Sequence, residues 1–113
     1  MDKIDGIMIP GGRDIDPEHY GEENKGSRFD KEDALIRYNT CKNWVMEGDL
    51  KMPIFGICFG YQILNVLYGG KMDQHLENSQ EHTFKCRDFI PVEGTHLHKA
   101  TNGTIPHNAC FHH

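Results

Sequence analysis

A chain of 113 residues that is 37% hydrophobic has material for one small core and not for two. Its net charge of −5, carried without long runs of one sign, argues against nucleic acid or an anionic membrane as the main partner and suits a small neutral or cationic ligand. No stretch approaches the roughly 18 consecutive apolar residues of a membrane span. The opening "MDKIDGIMIPGG" lacks a signal-peptide layout, and Cys41, Cys58, Cys86 and Cys110 form no CxxC pair, so the expectation is a cytoplasmic protein with free thiols.

In chain order, the apolar run "IDGIMIP" (Ile4 to Pro10) stops at a Pro-Gly-Gly turn and reads as a buried strand ending in a tight loop. The polar stretch "RDIDPEHYGEENKGSRF", broken by Pro17, Gly21 and Gly26, has neither helical nor strand period and reads as a long solvated surface loop. Its acidic cluster lacks the alternating ligands and central glycine of a calcium loop. From Asp30 the apolar positions Ala34, Leu35, Tyr38, Cys41, Trp44 and Val45 recur at spacings of three and four, with Asp30 as cap and Gly48 as stop. This predicts an amphipathic helix, with Trp44, Phe29 and Phe55 as core aromatics.

"PIFGIC" is continuously apolar, as a fully buried parallel strand would be, and from Tyr61 the residues Ile63, Leu64, Val66, Leu67 and Tyr68 fit a helix that closes at Gly69-Gly70. Beyond it, "HTFKCRDFIPV" and "TIPHNACFHH" are strand-like pieces separated by Gly94 and Gly103. Strand, helix, strand, helix argues for an α/β domain over residues 1–113 with a parallel sheet and flanking helices.

Cys58 falls on the corner between the second strand and its helix. Gly56 and Gly60 flank it and let neighbouring chain approach without Cβ clashes, so the corner can lift one side chain clear of the sheet. A sulfur there sits at the positive end of the following helix, a place that favours an anionic nucleophile. The backbone N–H of Phe59 is aimed at the space in front of the sulfur, and Gly11 or Gly12, at another strand end on the same sheet edge, supplies a second donor for an oxyanion. The bland alternative is a small buried apolar residue, the usual state of a lone intracellular cysteine.

Three segments weigh against that alternative. "IPGGRDIDPEHYGE", "PIFGICFGYQILNVLYGGKMDQHL" and "NACFHH", in this order, resemble the class I glutamine amidotransferase superfamily, and within it the γ-glutamyl hydrolase-like branch, peptidase family C26, which includes γ-glutamyl-γ-aminobutyrate hydrolases. The resemblance implies a flavodoxin-like sheet and a cysteine, here Cys58, that attacks a γ-glutamyl amide to form a thioester. It also implies an oxyanion hole from Gly11, Gly12 and Phe59, substrate contact by Gln62 and by His112 beside "NACFHH", a small γ-glutamyl substrate, and neither cofactor nor metal. Where the family has a serine in that last segment, this chain has Ala109. Cys86, His96, His98, Cys110 and His112 are zinc-capable but match no zinc spacing.

The family's general base and its orienting acid lie in a histidine-proline-glutamate motif that this sequence does not contain, and the first strand corresponds to one that the family precedes with a further strand and helix. The reading is therefore of a domain truncated at both ends, with weak or absent turnover of its own; His112 or His113 is the substitute base if one exists. The alternative is a non-catalytic relative that binds a ligand or partner chain. A sheet without its outer strands exposes edges and apolar faces. The chain is accordingly expected to be marginally stable and to self-associate; light scattering that shows a compact monomer with a cooperative thermal transition contradicts the truncation.

Overall fold

The structure is a computed structural model that describes residues 4–47, 52–77, 83–88, 90–104 and 107–111. Two compact units divide the chain, Met1–Gln74 and His75–His113.

In the first unit, β1 (Ile7–Ile9) and β2 (Ile54–Gly56) pair in parallel, with Ile7 opposite Ile54, Met8 opposite Phe55 and Ile9 opposite Gly56. The connection between them holds a 3-10 turn (Pro17–Tyr20) and helix α1 (Lys31–Lys42), which runs into a π-helical turn (Asn43–Glu47). Asp30 caps α1 by accepting a hydrogen bond from the Asp33 amide at 3.0 Å. Helix α2 (Phe59–Leu67) follows β2 and buries Phe59, Ile63 and Val66, one stripe at helical spacing. Its end is the glycine stop that the sequence predicts: Gly69 takes φ 92° and the Gly70 amide donates to the Asn65 carbonyl at 2.8 Å.

The core is Ile9, Ile15, Tyr20, Phe59, Ile63 and Val66, with Ile63 at 0% exposure. Fully burying such a side chain contributes about 1.5–3 kcal/mol. Ile15 and Tyr20 come from the segment expected to be a solvated loop, and this is a correction. Asp16 is only 6% exposed because its carboxylate accepts the Glu18 amide at 3.0 Å, which starts the 3-10 turn and turns Tyr20 inward. The ring of His19 stacks on Tyr38 of α1 at 3.8 Å, and burial lowers the His19 pKa against the opposing pull of Asp16 and Glu18. The rest of the segment is pinned at its base by Arg28 and Asp14, whose backbone and side chain bond in both directions, and at its tip by Gln74, which accepts from the Lys25 amide at 2.6 Å.

Two further expectations are corrected. The strand "PIFGIC" is parallel but not buried on both faces: Phe55 is 62% exposed and its partner Met8 65%. Strand residues alternate between faces, and of the two faces of this sheet only the one carrying Ile9 meets the core. Trp44 and Phe55 are exposed and Phe29 is half-buried, so none is a core aromatic. The inward stripe runs Tyr38, Cys41, Val45, and Trp44 stands to one side of it and is exposed.

The second unit pairs β3 (Thr83–Asp88) antiparallel with β4 (His107–Phe111), Asp88 opposite His107 and Thr83 opposite Phe111, with an irregularity between Thr83 and Lys85. Between them lies α3 (His96–Ala100), capped by Thr95 and followed by Asn102 and Gly103 at positive φ. Five residues are too few for a periodic signal, which is why the sequence does not announce this helix. No described helix is long and apolar enough to cross a membrane.

Gly60 is the tightest point of the first unit. A Cβ there would collide with the Ile9 carbonyl oxygen and lie 2.8 Å from its carbon, both backbone atoms of β1 that cannot swing away. Gly60→Ala is expected to cost about 1–3 kcal/mol or more, as overpacking does, read as a lower urea midpoint at unchanged slope.

Candidate active site

The corner between β2 and α2 is built from backbone contacts. The Ile57 amide donates to the Ile9 carbonyl at 2.9 Å, which extends the parallel pairing one residue past β2, and the Gly60 amide donates to the Ile57 carbonyl at 2.8 Å. Gly56 packs under the helix start, where a Cβ would lie 2.6 Å from the Tyr61 nitrogen. Between these fixed points Cys58 has φ 51° and ψ −108°, a sparsely populated conformation for a residue with a side chain. Such strain costs on the order of 1–3 kcal/mol and persists only where the surroundings over-determine it.

Cys58 is a free, exposed thiol at the N-cap of α2, and its side chain makes no capping hydrogen bond. Phe59 is the first helical residue, a position whose amide has no acceptor within the helix. The turn after β1 lies alongside: a Cβ on Gly11 would sit 3.5 Å from the Cys58 Cβ, and one on Gly12 would sit 3.6 Å from Cγ of Phe59. The structure thus brings together four of the predicted residues, Cys58, Phe59, Gly11 and Gly12. Gln62 lies one turn along α2, where its amide donates to the Cys58 carbonyl at 3.0 Å. His112 and His113 lie outside the described residues.

One residue near this corner goes unnoticed in the sequence. Arg37 of α1 stands with its guanidinium carbon 4.6 Å from the centroid of the Phe59 ring, and its Nη1 occupies the space beside Gly12. The available signal was Asp33 four residues before Arg37, an ordinary helix ion pair, which the structure shows at 2.7 Å.

A strained cysteine at a strand-to-helix corner, packed by glycines and flanked by a glycine turn from the neighbouring parallel strand, marks the first unit as an α/β domain with a tight strand-to-helix corner. The chain belongs to the peptidase C26 family, whose model matches residues 1–113. It is 36% identical over 130 aligned positions to a Mycobacterium tuberculosis protein described as a "putative glutamine amidotransferase", covering 100% of this chain and 39% of that one. A glutamine amidotransferase-like protein of Lactococcus lactis is 29% identical over 120 positions, 97% of this chain and 50% of that one. The glutamine-hydrolysing GMP synthase of Dictyostelium discoideum is 36% identical over 72 positions, 64% of this chain and 8% of that one. No solved structure matches the chain significantly.

The two thiols of the first unit differ in setting. Burial pushes the Cys41 thiol up, opposed by Arg37, whereas Cys58 is exposed. Iodoacetamide near neutral pH is therefore expected to modify Cys58 at least about tenfold faster than Cys41, measured by peptide mass spectrometry on folded protein; faster reaction at Cys41 would refute a reactive corner.

Proposed function

We propose that the protein handles γ-glutamyl amides through Cys58. Membership of the peptidase C26 family supports a hydrolase of the amidotransferase type, and the observation that carries the finer reading is the strained, exposed Cys58 against the Gly11 turn. In this reading the Cys58 sulfur attacks the γ-carbonyl carbon, and the carbonyl oxygen takes the negative charge. Backbone amides of Phe59 and of Gly11 or Gly12 hold that oxygen. The C–N bond then breaks, the amine leaves with a proton, and water cleaves the thioester to give glutamate and the free thiol. Gln62 and His112 contact the glutamyl group. The substrate is small, no cofactor takes part, and a thiol nucleophile of this kind suits the reducing cytoplasm.

Proton supply is the step these residues do not cover. The sequence contains no His-Pro-Glu motif, and general acid–base help is worth about 10²–10⁴-fold on such a step. The chain spans 39% and 50% of the Mycobacterium and Lactococcus relatives, so hydrolysis by a whole protein is itself part of the proposal. A second reading is a relative that binds γ-glutamyl compounds or a partner chain without turning them over.

The two readings separate on leaving group. A γ-glutamyl p-nitrophenyl ester expels an anion that needs no proton, so it should acylate Cys58 of the 113-residue chain, seen as a γ-glutamyl adduct by intact mass spectrometry and absent in Cys58→Ala. Glutamate release from γ-glutamyl-γ-aminobutyrate should be at least about a hundredfold slower than ester acylation. Comparable rates on ester and amide would assign a base to a histidine of this sequence. Absence of any adduct, with the ester still bound, would favour the binding reading.

A further inference from the structure

Arg37 links three elements, α1, the turn after β1 and the start of α2. Its side chain, 24% exposed, leaves α1 and lies across the Phe59 ring, with its guanidinium carbon 4.6 Å from the ring centroid. Its Nη1 would be 2.5 Å from a Cβ at position 12, so it fills the place a side chain on Gly12 would take. Nη2 makes an ion pair with the Asp33 carboxylate at 2.7 Å. Nε is buried with no hydrogen-bond partner among the described residues.

A guanidinium that served only an i,i+4 surface pair would be solvated. Burying Nε without a hydrogen-bond partner is costly even with Nη2 paired to Asp33, and the planar face of Arg, unlike the point charge of Lys, is suited to lie flat on an aromatic ring. The geometry points to Arg37 as a positioning residue, clamping the Gly11–Gly12 turn to the first residue of α2 and so holding the backbone donors that face Cys58. The clamp acts through Gly12, whose missing Cβ admits the guanidinium, and through Phe59, whose amide follows the cysteine. It rests on the proposed reading of Cys58 only for its consequence in catalysis; the mechanical link stands on the contacts themselves.

Two reactions at the same sulfur separate this role from a general structural one. Alkylation by iodoacetamide displaces iodide at a saturated carbon and develops no oxyanion. Acylation by a γ-glutamyl p-nitrophenyl ester adds to a carbonyl and does. Losing one oxyanion donor outright costs about 10²–10³-fold, and loosening donors costs less. Arg37→Ala is expected to slow acylation about tenfold or more while alkylation of Cys58 stays within about twofold, and Arg37→Lys to recover only part of the loss.

Phe59→Leu, which keeps apolar bulk and removes the ring face, should show the same split and decides the matter if Arg37→Ala does not fold. Amide hydrogen exchange at Gly12 should accelerate in either variant. Loss of both reactions together, or unchanged exchange at Gly12 in a folded variant, overturns the inference. If the unaltered protein is not acylated yet Gly12 still loosens without Arg37, the clamp stands and the γ-glutamyl reading falls.

Discussion

The first unit depends on one backbone atom, the carbonyl oxygen of Ile9. It accepts the hydrogen bond from Ile57 that carries the parallel pairing past the end of β2, and it also rests against the bare Cα of Gly60. Strand β1 thereby touches the last extended residue before the corner and the second residue of the helix after it. With both sides fixed to the same atom, Cys58 must make the whole reversal by itself, and its positive φ follows. The strain is thus a consequence of packing on either side rather than of the cysteine's own preference.

That arrangement needs a rigid backing, which comes from unexpected places. The segment after β1 folds back through Asp16 and the 3-10 turn, delivers Ile15 and Tyr20 to the core, and stacks His19 on Tyr38 of α1. The Gly11–Gly12 turn therefore begins a segment anchored to the helix layer, rather than swinging at the end of a loose loop. Arg37, on the helix that also carries Tyr38, reaches the same turn from behind. An arginine and an aromatic ring thus pack together beside this turn.

The sheet itself is only half covered. Met8 and Phe55 stand side by side on the face opposite the core, an uncommon state for parallel strands, which are ordinarily covered on both faces. The family relationship extends beyond this unit, since the matching model includes β3, α3 and β4 as well as the corner. The strand-to-helix corner itself lies within Met1–Gln74.

Much of the site was legible without coordinates because it is local. Gly56, Cys58 and Gly60 must be close to one another in any strand-to-helix turn, Asp30 caps whatever helix follows it, and Gly69-Gly70 stops the next one, so their roles follow from spacing alone. Side-chain burial was not legible, since it depends on which face finds a partner. Phe55 is apolar in an apolar run and still faces outward, Trp44 stands beside the inward stripe of its helix and is exposed, and Asp16 is buried because an amide two residues on satisfies it. Sequence by itself determined the family, the order of the elements and the place of the cysteine corner, all read from residue types and spacing within short segments. Only the tertiary structure decided that Gly12, Arg37 and Phe59 meet. Their partners lie far apart along the chain, and the contact depends on a glycine's absent Cβ, which leaves no periodic trace.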